Sequence, residues 1–259
     1  MTLTTRQITT RQGIDGEVLQ GGSGPDLVWL HGAGGTTADD PLLKRLTERY
    51  TVHAPIWPGY GPHETEHHIE TMLDFTLHGW DVIDALELSG APVLAGHSMG
   101  GMIAAEMAAI APHDLARLVL LAPAGLWDDA MPVPDIFTML PYQLAEVLFR
   151  DAAVGEKLLT AGRSFDDDAA LAAFMVDRAR QLGTAGKILF PIPNRGLARR
   201  LYRIGMPTTI IWGESDRLYP LAYADHWSGA IADCTVETVA EAGHMVVVEQ
   251  PDFVAARIG

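Results

Sequence analysis

The sequence predicts an α/β chain: a mostly parallel sheet with helices on both faces. Three observations predict it. Short, continuous apolar runs recur along the 259 residues, as expected of strands buried on both faces of a parallel sheet. Stretches of helical pattern separate them, the alternation that builds such a sheet. One long stretch, 125–204, breaks the rhythm with helical pattern alone and reads as an insertion over the sheet edge.

The strand runs come in order: DLVWLHG (26–32), TVHAPI (51–56), PVLAGHS (92–98), LARLVLLAP (115–123), PTTIIWGESD (207–216) and TVETVAEAG (235–243). IETMLDFTLHGWDVIDALEL (69–88) carries apolar residues at helical spacing, MGGMIAAEMAAIA (99–111) is rich in helix-favouring Ala and Met, and a terminal helix is expected from Pro251. The insertion gathers Phe137, Met139, Leu140, Tyr142, Phe174 and Met175. The domains expected are therefore a core of 1–124 and 205–259 and a helical cap of 125–204, with those six side chains as candidates for lining a substrate pocket. No repeat or low-complexity segment stands out.

Composition narrows the partners. Hydrophobic residues make up 48% and charged residues 20%, enough apolar material for a large core. Lys+Arg is 18 against Asp+Glu 33, a net charge of −15, which repels phosphate backbones, so no nucleic acid is expected. The lone cysteine, Cys234, excludes an internal disulfide; it stands in a strand-like run and reads as structural. MTLTTRQITT has no apolar signal core, and no run of about 18 apolar residues occurs, so no membrane span is expected and a cytoplasmic location is. A homodimer is left open.

Chemistry concentrates at Gly96-His97-Ser98-Met99-Gly100, a G-x-S-x-G with an apolar strand leading in and an Ala-rich helix leading out. A nucleophile in that setting protrudes at a strained turn. The glycines let strand and helix approach without Cβ clashes. The helix start aims free N–H groups and a positive dipole end at the site, so the Met99 N–H is a candidate oxyanion donor. A serine hydroxyl needs a base; His244, in EAGHMVVVEQP, follows a strand run. Asp216, in WGESDRLYP, lies between the two in the chain and is preferred as the orienting acid over Asp128 and Asp129, which follow LVLLAP, and over its neighbour Glu214. The loop His31-Gly32-Ala33-Gly34-Gly35 offers the second oxyanion donor, Ala33 first and Gly34 next, with His31 bracing the loop. Arg178 and Arg195 are candidates to meet a substrate carboxylate, though solvated cap arginines are the preferred reading.

One other motif competes. PHETEHH contains HETEH, which fits the H-E-x-x-H pattern of zinc proteases, with His63 and His67 four apart. The extended pattern would need Gly at 70 and His at 73, where the chain has Glu70 and Leu73. The segment is polar throughout, and a buried metal helix should carry an apolar stripe. No metal site is therefore expected.

HGAGG at 31–35, PGYG at 58–61, GHSMGG at 96–101, GESD at 213–216 and AGH at 242–244 together resemble the α/β-hydrolase superfamily, in its branch with a helical cap. The resemblance covers nearly the whole chain. It implies the α/β-hydrolase fold, a sheet of about eight strands, no cofactor, and a Ser98–Asp216–His244 triad acting on a small-molecule acyl substrate. Serine at position 98 departs from the dehalogenase and epoxide-hydrolase branches, which use aspartate there. His97, where carbon–carbon hydrolases usually have Asn, and the lack of a Trp in GHMVVVEQ favour hydrolysis of a small or medium hydrophobic ester or lactone. Carbon–carbon hydrolysis of a ring-cleavage product on the same triad and a non-enzymatic small-ligand receptor on the same fold are the alternatives.

Overall fold

The computed structural model describes residues 2–61, 68–160, 167–190 and 196–259. Eight strands form one sheet: β1 Thr4–Thr9, β2 Asp15–Gly22, β3 Asp26–Leu30, β4 Thr51–Pro55, β5 Val93–His97, β6 Arg117–Leu121, β7 Thr208–Gly213 and β8 Cys234–Val239. Their order is β1-β2-β4-β3-β5-β6-β7-β8. β1, β2 and β4 pair antiparallel, and every pair from β4–β3 to β7–β8 is parallel.

The six expected strand runs all appear, five of them for the reason they were legible, while β8, at the sheet edge, is buried only at Val239. Each of β3 to β6 is buried in all but its first residue, and β7 is buried throughout. Successive side chains serve opposite faces. Val28, Leu30, Leu118, Leu120, Ile210 and Trp212 enter one core, while Leu27, Trp29, Val119, Leu121 and Ile211 enter the other. The hairpin β1–β2 was not foreseen: TTRQIT buries only Ile8, so its sequence carries almost no apolar signal.

Nine helices are described: α1 Pro41–Leu46, α2 Met72–Leu86, α3 Met99–Ile110, α4 Pro141–Leu148, α5 Ala152–Leu159, α6 Asp168–Leu189, α7 Tyr223–Ser228, α8 Val246–Glu249 and α9 Pro251–Ile258. Thr71 and Asp74 start α2 with a reciprocal capping box, and Glu87 ends it in the left-handed region. α3 is buried at every position but its last, as a helix apolar all round must be. Between β6 and β7 the described chain is helical only. Its Ala185 and Ile188, on α6, join the core cluster that also holds Met99 and Met102 of α3.

The return of that insertion is pinned to α3. Leu197 and Leu201, in short 3-10 turns, are buried. Arg200 grips Glu106 with two nitrogens, one at 2.8 Å, and Glu106 is 4% exposed. Arg203 donates to the Ala109 carbonyl, the α3 residue one turn further on. Arg200→Met should destabilise the fold by about 1–3 kcal/mol, because it strips the buried Glu106 carboxylate of its partly solvated partner. Glu106→Gln in that background should recover part of the loss, as read by urea unfolding midpoints.

Candidate active site

β5 delivers the chain to Ser98, where φ is +52° and ψ −114°. A non-glycine residue in that region stores roughly 1–3 kcal/mol of strain and persists only when its surroundings over-determine it. They do. The Ser98 N–H donates to the Leu121 carbonyl at 2.9 Å, and the Ser98 carbonyl accepts from Met102 and Ala124, both at 3.0 Å. A Cβ on Gly96 would overlap the Gly100 carbonyl, and one on Gly100 would overlap the Leu30 carbonyl. The two glycines thus let strand and helix close on each other and on the end of β3.

Ser98, His244 and Asp216 form one hydrogen-bonded chain. Ser98 Oγ lies 2.9 Å from His244 Nε2, and His244 Nδ1 lies 2.8 Å from Asp216 Oδ2. With the proton on Nδ1 facing the carboxylate, Nε2 is left to accept from the serine hydroxyl. Asp216 follows β7, and its other oxygen accepts from the Leu218 and Tyr219 N–H groups, each at 2.9 Å. Ser98, Asp216 and His244 are 8%, 6% and 1% exposed, so the chain lies at the covered floor of the site. The rival acids are engaged elsewhere: Asp128 with His226 at 3.1 Å, and Asp129 with the Trp127 indole at 2.7 Å. Glu214 is exposed.

The loop after β3 folds over Ser98. A Cβ on Gly32 would stand 3.4 Å from the Ser98 Cβ, so the backbone leading to Ala33 passes against the serine. Gly35, at φ +79°, turns the loop, and its N–H closes on the Gly32 carbonyl at 3.0 Å. His31 braces it: Nδ1–H donates to the Gly32 carbonyl at 2.8 Å and Nε2 accepts from the Trp57 N–H at 3.3 Å. Burial holds its pKa down at about 4, so the ring is neutral and its tautomer fixed. Tyr60, from PGYG, donates to the Ala33 carbonyl at 3.2 Å and reaches the Met99 sulfur. The Met99 N–H opens α3, where a helix leaves its first donors unpaired.

Sequence reasoning passed over two residues at the site. His97 donates from Nε2 to the His244 carbonyl at 2.9 Å, with ring centroids 5.1 Å apart. Burial first, and then His244, push its pKa down to about 3. Its place inside the G-x-S-x-G was the available signal. Tyr219 packs 5.8 Å from the His244 ring; only its closeness to Asp216 marked it.

The insertion residues are more dispersed than expected. Leu140, Tyr142 and Met175 are 55%, 52% and 56% exposed, surface positions on the insertion. Phe137 is half-buried and meets Phe190 edge-on at 5.9 Å; Met139 and Phe174 are also half-buried. Arg178 sits half-buried on α6, where burial lowers its pKa and its charge reaches the Tyr60 phenol. Arg195, and His63, Glu64 and His67 of HETEH, lie outside the described residues. Among the described residues no group of three or more His, Cys, Asp or Glu could hold a metal ion, and no helix is long and apolar enough to cross a membrane. Cys234 heads β8 half-buried, its thiol pushed up to about 11 chiefly by burial, which leaves it mostly protonated near neutral pH.

The chain is 29% identical to the human monoacylglycerol lipase ABHD6 over 189 residues, 65% of this chain and 54% of that protein. It thus spans about half the length of that curated relative. Among solved structures it resembles carboxylesterase CesB from Bacillus subtilis, with a TM-score of 0.70 and 24% identity over 100% of this chain and 90% of that one. It also resembles a serine hydrolase involved in carbazole degradation, with a TM-score of 0.76 and 21% identity over 98% of this chain and 96% of that one. At those identities the likeness concerns the fold. The characteristic sequence pattern of the alpha/beta hydrolase family matches residues 27–257, and with the sheet and the Ser98 turn already in place, the chain belongs to that family.

Proposed function

We propose that the protein is a serine hydrolase of small or medium hydrophobic carboxylic esters or lactones. The observation that carries this reading is the continuous hydrogen-bonded chain from Ser98 through His244 to Asp216, ending on a serine held at a strained turn. His244 Nε2 takes the Ser98 proton as Oγ bonds to the ester carbonyl carbon, and the carbonyl oxygen becomes an oxyanion. Asp216 holds the imidazole and stabilises the imidazolium that forms. The Met99 and Ala33 N–H groups, with the start of α3 behind them, stabilise the oxyanion. His244 then returns its proton to the departing alcohol oxygen as the carbon–oxygen bond breaks. Water, deprotonated by His244, attacks the acyl-enzyme, and Ser98 leaves with the proton restored. No step requires a cofactor.

The helical insertion acts as the cap in this reading, with Phe137, Met139 and Phe174 as its candidate acyl contacts. The monoacylglycerol lipase named among the relatives is an ester hydrolase by name, which supports the substrate class.

Ser98→Ala should lower kcat by about 10⁴-fold or more while leaving the thermal midpoint nearly unchanged. Asp216→Asn should cost about as much by setting the wrong His244 tautomer, and Asp128→Asn should stay close to wild type. A panel of p-nitrophenyl esters of rising chain length, with fluorophosphonate labelling of Ser98, measures all three. Full activity in Ser98→Ala would remove the proposal, and a slow single turnover with retained product would favour a receptor.

The buried histidines set a second expectation. Folded pKa values of about 4 for His31 and about 3 for His97 lie below the ordinary 6.5. The unfolded chain therefore binds more protons across that interval. Stability from these groups is complete above about pH 6.5 and is lost as pH falls toward about 4, by roughly 1.4 kcal/mol per pH unit for each histidine. Thermal midpoints measured from pH 7 to 4.5 should fall, and His97→Gln should flatten the slope.

A further inference from the structure

The geometry points to Glu249 as a positioning residue for His244: its carboxylate clamps the histidine loop onto the turn between α4 and α5. This rests on the reading of Ser98, Asp216 and His244 as the catalytic groups. Glu249 closes α8, five residues past His244. Its Oε2 accepts from the Gly243 N–H at 2.7 Å, and its Oε1 accepts from the Arg150 N–H at 2.9 Å. One carboxylate therefore bridges the base loop and the insertion. On the other side of the histidine, the Met245 N–H donates to the Leu148 carbonyl at 3.0 Å. Both neighbours of His244 are thus tied to the same turn, while the His244 carbonyl is tied to His97.

The contact is close enough to demand glycine. A Cβ on Gly243 would stand 2.8 Å from the Arg150 nitrogen and 3.0 Å from the Leu148 carbonyl oxygen. The acid loop reaches the same turn from its own side: Arg217, next to Asp216, donates to the Glu146 carbonyl in α4 at 2.7 Å and reaches the Phe149 carbonyl at 3.5 Å. Arg150 also pairs with Glu241, two residues ahead of Gly243. The turn at 148–150 is therefore the common reference for the loops that carry both Asp216 and His244. A carboxylate suits the bridge because two N–H donors face it, one on each oxygen. Glutamine supplies one acceptor and sets an NH₂ against the other N–H. Loss of the bridge frees Gly243, one bond from His244, and a shift on the order of 1 Å at a catalytic group costs about 10²-fold.

The test uses the full chain with Glu249→Ala and Glu249→Gln, alongside Ser98→Ala. Four quantities are read: kcat and KM on a short p-nitrophenyl ester, the thermal midpoint, and the far-downfield imidazole N–H proton resonance of His244, identified by its disappearance in Asp216→Asn. Glu249→Ala should lower kcat by about 10- to 100-fold with KM changed by less than about threefold, and should shift or broaden the resonance. Glu249→Gln should move both in the same direction by less. A purely structural role would lower the thermal midpoint alone, so folded Glu249→Ala protein with wild-type kcat and resonance overturns the assignment. If the alanine variant lacks a cooperative unfolding transition, the glutamine variant decides by the same readouts, and wild-type values there overturn it. An inactive Ser98→Ala beside unimpaired Glu249 variants would sink this inference alone; an active Ser98→Ala would sink the reading beneath it.

Discussion

The constraint on which the rest depends is the left-handed backbone of Ser98. Nothing local favours φ +52° for a serine. The conformation is imposed by the N–H bond to Leu121 at the end of β6, by Met102 and Ala124 on the serine carbonyl, and by the contact of Gly100 with the end of β3. Three elements meet at one residue, and that meeting follows from the strand order. β3 lies between β4 and β5, so the chain leaves β3 toward one edge of the sheet and later returns to build β5 on the other side. The loops after β3 and β5 leave in opposite directions at the carboxyl ends of the strands, where sheets of this kind hold their ligands. The HGAGG loop and Ser98 meet at that point.

Electrostatics then depends on burial. His244 and Asp216 are almost wholly enclosed, a costly place for a charge unless every lone pair and proton is matched. Asp216 meets that condition with two backbone N–H groups and the imidazole. The two supporting histidines, His31 and His97, meet it by staying neutral. A charged His97, 5.1 Å from His244, would oppose the imidazolium that the proposed mechanism forms. Desolvation therefore supplies two rigid, uncharged braces, each with a donor aimed at a loop carbonyl.

How much of this was legible follows from what each feature writes into sequence. The parallel strands β3 to β7 were plain because both faces are buried and no polar alternation interrupts them; β8, buried only at Val239, was legible by its alternating pattern instead. The turn at Ser98 was plain because its glycines admit no substitute. The acid was legible only through its order in the chain and its place after β7; the preference over Asp128 depended on which imidazole each carboxylate meets, a matter of tertiary placement. β1 and β2 stayed hidden because an edge hairpin can be polar on most of its surface. The cap candidates were chosen for apolar character, but Leu140, Tyr142 and Met175 face solvent: helices in an insertion have two apolar duties, inward packing and outward exposure, and composition does not separate them. The tie between Glu249 and Arg150 joins residues 99 apart in the chain through a backbone N–H, which no side-chain pattern announces.

The place of the insertion follows from topology. β6 ends beside Ser98, and parallel β7 must begin at the opposite end of the sheet, so any connection between them crosses a face. Lengthening such a crossing costs little, since closure entropy grows only with the logarithm of length. The return segment, 197–204, is fixed to α3 through Arg200 and Arg203. The outgoing half is fixed at 146–150 to the loops that carry Asp216 and His244. In the function proposed above, an insertion anchored at both of those places serves as the cover of the Ser98 end of the sheet, with no strand among its described residues. It also cannot shift at 148–150 without pulling on the histidine loop. In the proposed enzyme, cover and catalytic geometry are then one mechanical unit, and the bonds at Gly243, Met245 and Glu249 are where the two join.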